Sequence, residues 1–87
     1  MRVVAESGVG MRHLVETIVK ALVDHPEAVE INEISGNHAH VLELKVAKED
    51  LGKVIGKGGA HASAIRALLA AASGKENRRY ILEILES

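Results

Sequence analysis

The chain has 87 residues, 47% of them hydrophobic, no cysteine and a formal net charge of −1, which bounds it to one small domain able to build a core. Without cysteine it has neither a disulfide framework nor thiolate chemistry, in keeping with a cytoplasmic setting. No run approaches the ~20 apolar residues of a membrane span, and with no Phe, no Trp and Tyr80 as the one aromatic residue, a platform of aromatic rings for stacking bases is excluded.

The opening "MRVVAESGVG", Met1–Gly10, lacks the apolar stretch of a secretory signal and reads as an extension ahead of one domain over Met11–Ser87. Met11, Leu14, Val15, Ile18, Val19, Leu22 and Val23 recur at helical spacing, so residues 11–25 are expected to be helical. Pro26 biases His25 out of the helical region and closes that element. In "AVEINEIS" Val29 and Ile31 alternate and the phase then slips to Ile34. That slip predicts a strand with a bulge near Asn32–Glu33. "GNHA" is turn material. "HVLELKVA" alternates cleanly, with Leu42, Leu44 and Val46 on one face and Val41, Glu43 and Lys45 on the other; the two strands form a hairpin.

"KEDLGKVI" reads as a short helix with acids in its first turn, where the helix dipole favours them, stopped by Gly56. "AHASAIRALLAAAS" is the next helix, expected to end at Gly74, with "KENRR" as a polar loop and "YILEILE" as the last strand. In that strand Tyr80, Leu82 and Ile84 share one side and Ile81 and Leu85 the other, so the uncovered sheet face or a helix beside it is expected to meet a partner. The predicted order is α-β-β-α-α-β. Two helices between the second and third strands suffice for a parallel crossover. The expected fold is α+β: a mixed three-stranded sheet covered on one face by three helices.

Charge is segregated along the chain. Leu51–Tyr80 holds six cations (Lys53, Lys57, Arg66, Lys75, Arg78 and Arg79) against Glu76 alone; the remaining residues hold five cations and eleven acids. A basic segment on an acidic body suits a local anionic ligand. Within it lies "GKGG", Gly56–Gly59. A Walker A loop needs a Gly-Lys-Ser/Thr sequence after a strand, and no Ser or Thr follows a Gly-Lys pair here. A dinucleotide fingerprint needs Gly-x-Gly-x-x-Gly after a strand, which Gly52, Gly56, Gly58 and Gly59 do not match. What remains is Gly-x-x-Gly between two helices. Missing Cβ atoms at Gly56 and Gly59 leave room for a sugar-phosphate backbone, and Gly58 keeps the loop free of bulk. Lys57 places a cation at the tip, and N–H groups around Gly58–Ala60, at the start of the following helix, face a phosphate chain. Val54 and Ile55 before the loop, and Ala60, Ala62, Ala64 and Ile65 after it, offer an aliphatic floor for unstacked bases. His61 adjoins the loop as a candidate phosphate contact.

"VIGKGGAHASAIRALLAAA" resembles the signature of the KH domain, and the element order resembles its type II form. The likeness runs from about Met11 to Glu86. "LVDHPEAVEINEI", "LELKVAKEDLGKVIGKGG" and "IRALLAAAS" are similar to the short, single-KH RNA-binding proteins of bacteria, the KhpA-like family. The resemblance implies single-stranded RNA binding, with about four nucleotides held at the Gly-x-x-Gly loop, and a chaperone-like or post-transcriptional role. It also implies a homodimer, or a heterodimer with a longer KH protein carrying a second nucleic-acid-binding domain. Carried over residue by residue are Gly56, Lys57, Gly58 and Gly59 as the clamp, with Val54, Ile55 and Ile65 beside the groove. Single-stranded DNA binding, and a KH fold kept chiefly for protein assembly, are the alternatives. No cofactor is expected. His38 and His40 lack further ligands in the sequence pattern for a metal. Ser63 and His61, two apart on a helix, do not face each other, so an enzyme is not expected.

Overall fold

A computed structural model of the chain describes residues 10–76 and 79–86. Its elements run α1 (Gly10–Leu22), β1 (Glu30–Ser35), β2 (Ala39–Val46), α2 (Leu51–Ile55), α3 (Ala60–Glu76) and β3 (Arg79–Glu86), with 3₁₀ turns at Pro26–Ala28, Lys48–Asp50 and Lys57–Gly59. β2 is the central strand, antiparallel to β1 and parallel to β3. This is the α+β architecture of a type II KH fold, with the helices on one side of the mixed sheet. No described helix is long and apolar enough to cross a membrane.

The alternation in β2 builds the core. Leu42, Leu44 and Val46 are fully buried, and their cross-strand partners on that face include Ile31 from β1 and Leu82 and Ile84 from β3. Against them pack Val15 and Val19 of α1, Val54 of α2, and Ile65 and Leu69 of α3. Burying one such Val, Leu or Ile side chain contributes about 1.5–3 kcal/mol, so these few residues carry the fold. The fourth inward residue of β2, His40, is also buried. Its Nδ1 lies 3.0 Å from Glu33 Oε2 and 3.1 Å from Ser35 Oγ, and its ring lies 5.4 Å from that of Tyr80.

Four elements differ from the sequence expectation. The β1–β2 register runs unbroken from Glu30↔Lys45 to Ser35↔His40, so there is no bulge at Asn32–Glu33; instead Ile34 stands on the open sheet face, 49% exposed. α1 stops at Leu22 rather than His25. The Asp24 and His25 N–H groups leave the helical ladder to donate to the Asp50 carboxylate, at 3.1 and 2.9 Å. α3 passes through Gly74 to Glu76. A helical glycine costs about 1 kcal/mol relative to alanine, too little to end a long helix in which Ser73 Oγ–H donates to Leu69 O. Ser73 Oγ also accepts the Tyr80 N–H at 2.9 Å, pinning the start of β3 to the last turns of α3. Arg79, expected in a loop, opens β3 opposite Ala39, and its N–H donates to His38 O.

Candidate nucleic-acid interface

The short helix α2 is set in place from below. Asp50, entirely buried, ends the 3₁₀ turn that leads into α2 and accepts the two N–H groups just past α1. Burial pushes its carboxyl up, but the Asp24 and His25 N–H groups and the charges of His25 and Lys53 outweigh that and hold it below the ordinary 3.8. The end of α1 is thereby tied to the start of α2, and the orientation of α2 fixes where the glycine loop emerges. Lys53 serves the same junction: its Nζ lies 3.2 Å from Asp24 Oδ2 and 3.8 Å from Asp50 Oδ1.

The loop itself is bent by glycine. Gly56 (φ 79°, ψ 166°) breaks α2, and Gly58 (φ 63°, ψ 19°) and Gly59 (φ 77°) turn the chain into α3. All three take positive φ, which glycine alone adopts without steric cost. The Gly56 N–H donates to Gly52 O, the Gly59 N–H to Gly56 O, and the Ala60 N–H to Lys57 O. Gly56 carries the Lys57 and Gly58 N–H groups out of the α2 ladder to the head of the 3₁₀ turn, where the first N–H groups have no acceptor within the turn itself. Of the Gly58–Ala60 amides named from the sequence, those of Gly59 and Ala60 donate within the loop, to Gly56 O and Lys57 O. The empty space also differs from the expectation. A Cβ added at Gly58 or Gly59 would meet nothing within 4 Å, whereas one at Gly56 would lie 2.7 Å from His61 Cγ, 2.8 Å from His61 N and 2.9 Å from His61 Nδ1. The room at Gly56 is taken by the His61 ring. Its Nδ1 donates to Lys53 O at 2.7 Å.

From the loop a cleft of about 460 Å³ opens between α3 and β3, lined by Ile55, Gly59, Ala62, Ser63, Arg66 and Ile84. Ile55 is 37% exposed, and Arg66 reaches across the cleft, its Nη2 donating to Leu82 O at 3.5 Å. Apolar walls, one cation and a backbone carbonyl make a slot suited to flat, hydrogen-bonding groups.

Of the residues singled out from the sequence, Ile55, Gly59, Ala62 and Arg66 line this slot, and Lys57 and Gly58 belong to the loop that carries Gly59. Val54 and Ile65 lie in the core beneath it. Ala60 is exposed beside the loop. Ala64 and Ile65 line a separate apolar groove of about 150 Å³ between α1 and α3. Lys53 is engaged by Asp24 and Asp50, and His61 by the Lys53 carbonyl. Lys75 falls in the last turn of α3; its side chain, and Arg78 entirely, lie outside the described residues. By strand alternation Arg79 shares the open sheet face with Ile81. Sequence reasoning missed Ile84 as a cleft residue, although its place beside Leu82 in the alternation carried the signal, and it took Ser63 only as a failed nucleophile.

A mixed sheet under three helices, with a Gly-x-x-Gly elbow between the second and third, defines a KH-domain protein of type II. The model of the KhpA/KhpB KH-domain family matches residues 12–84, and the chain belongs to that family. It is 60% identical over 75 residues to the RNA-binding protein KhpA of Caldanaerobacter subterraneus subsp. tengcongensis, spanning 86% of this chain and 100% of that one. It is 53% identical over 75 residues to the RNA-binding protein KhpA of Clostridium acetobutylicum, with the same coverage. Among solved structures, Aquifex aeolicus Era is similar over 99% of this chain and 33% of its own, with a TM-score of 0.56 and 17% identity, a likeness of fold.

Proposed function

We propose that this chain binds single-stranded RNA by seating phosphates on the glycine elbow and bases in the α3–β3 cleft. The observation that carries the reading is the loop tip: Gly56 turns the Lys57 and Gly58 N–H groups out of the α2 ladder to the head of the 3₁₀ turn, beside the exposed Lys57 side chain and the open space at Gly58 and Gly59. Such a tip offers two amide donors and an ammonium to one strand of phosphates. Ile55, Ala62 and Ile84 supply the apolar walls for about four bases, and Arg66 the polar contact. The chemistry is binding, not catalysis, consistent with a role as an RNA chaperone or post-transcriptional regulator. Neutralising about three phosphates gives a log–log salt slope near −2. The test is the double variant Lys57→Asp, Gly58→Asp. Asp tolerates the left-handed region that Gly58 occupies, so the variant is expected to fold and to lose RNA binding through repulsion at the tip. Unchanged binding by the folded variant would refute the proposal. A competition between matched RNA and DNA oligomers separates RNA from single-stranded DNA as the preferred ligand.

We also infer assembly, as a homodimer or as a heterodimer with a longer KH protein. Ile34, Val41 and Ile81 form one apolar row across the uncovered sheet, a feature that favours a covering partner. Sedimentation equilibrium is expected to show self-association, or association with such a partner; a strictly monomeric chain that binds neither overturns it.

A further inference from the structure

We propose that His61 is the positioning residue of the clamp: its imidazole, seated where Gly56 lacks a Cβ and bonded to the Lys53 carbonyl, holds the loop with its outward amides free. This deepens the RNA-binding reading and rests on it.

The reasoning starts from the backbone of α2. In a continuing helix the Lys53 carbonyl would accept the N–H of the residue four further on, Lys57. The chain leaves the helix at Gly56, so Lys53 O becomes one of the orphan carbonyls of a helix end. His61 Nδ1, at 2.7 Å, supplies the missing donor. The arrangement has a consequence for the ligand: the Gly56 backbone, at φ 79° and ψ 166°, carries the Lys57 N–H out of the helical ladder, and the ring holds Lys53 O in the direction that N–H has left. Without the ring, winding α2 on by one residue would return that N–H to Lys53 O and remove one of the two donors at the tip. The same ring accounts for Gly56. Its φ of 79° with ψ of 166° is a conformation essentially restricted to glycine, and the ring fills the volume a Cβ would need. Ring, glycine and carbonyl therefore form one interlocked unit. A carbonyl can only accept, so the proton on Nδ1 is required in the neutral imidazole and is retained in the cation. No contact between His61 and RNA is needed for this role.

The experiment compares His61→Asn with His61→Leu in the full chain, with a degenerate single-stranded RNA oligomer as probe and Lys57→Asp as control. Asn carries an amide N–H on the Cγ-bonded position that Nδ1 occupies, and Leu matches its size without a donor. Expected are a loss of affinity of about tenfold for Leu and of less than about threefold for Asn. Leu is the better helix former, so a role confined to supporting α3 gives the opposite order. If Leu binds like the wild type, or Asn loses as much as Leu, while Lys57→Asp abolishes binding, the latch is overturned and the clamp stands. Should Lys57→Asp leave binding unchanged, both fall. If His61→Leu does not fold, the imidazole nitrogen shifts of the unmodified protein decide. A neutral ring protonated at Nδ1 supports the latch, and one protonated at Nε2 overturns it.

Discussion

Alanine at Gly56 and at Gly58 separates two reasons for glycine that the sequence alone does not distinguish. At Gly58 (φ 63°, ψ 19°) an added Cβ meets open space, so Gly58→Ala suffers only the left-handed backbone penalty, about 1 kcal/mol. For a domain of this size that lowers the melting temperature by roughly 4–8 °C. At Gly56 the φ/ψ pair lies where non-glycine residues are strained by about 1–3 kcal/mol. The new Cβ also lies 2.8 Å from the backbone nitrogen of His61, an atom that cannot swing aside as a side-chain tip can. Relieving that overlap adds about 1–3 kcal/mol, for a total on the order of 4 kcal/mol. That approaches the whole stability of a small domain, about 5 kcal/mol at the low end. Urea denaturation of the two variants beside the wild type measures the difference. If Gly56→Ala is no less stable than Gly58→Ala, the packing assigned to His61 is wrong.

Three further outcomes are expected. Leu69→Ala empties a fully buried site and should cost about 2–5 kcal/mol in denaturant unfolding; a cost below that range would mean α3 is not anchored there. Because the Asp50 carboxyl is held below its ordinary 3.8 in the fold, it stabilises at neutral pH. That contribution is lost as pH falls from about 4 through the depressed folded value. Melting temperature against pH should therefore fall more steeply for the wild type than for Asp50→Asn below that point, and parallel curves would remove Asp50 from the account of acid stability. Arg66→Ala should weaken RNA binding by a few-fold, roughly 1 kcal/mol, since its guanidinium is the cation lining the cleft; undiminished affinity would take Arg66 out of the site.

The strands and the elbow were legible because each rests on a local rule. Period-two alternation placed Leu42, Leu44 and Val46 inward, and helical spacing turned Val15 and Val19 to the core. The run of glycines marked the loop. What stayed hidden depends on residues distant along the chain. The bond from His61 to Lys53 O exists only after Gly56 bends the backbone. The Asp50 carboxylate reaches N–H groups 25 and 26 residues away, which moves the end of α1 with no local signal. The bulge was misjudged by assuming that Ile34 must face the core; it stands on the open face in a regular ladder. Lys53 and Arg66 look alike as cations near a loop, yet one is spent on Asp24 and Asp50 and the other reaches over the cleft.

The most direct test of RNA seating on the elbow is a titration of the isotope-labelled protein with a degenerate single-stranded RNA oligomer, followed by amide chemical shifts. Binding at the clamp moves the Lys57 and Gly58 amides most, together with those of Ile55, Ala62 and Ile84 along the cleft. Shifts confined to the open sheet face around Ile34, Val41 and Ile81, with the Lys57 and Gly58 amides unmoved, would contradict it.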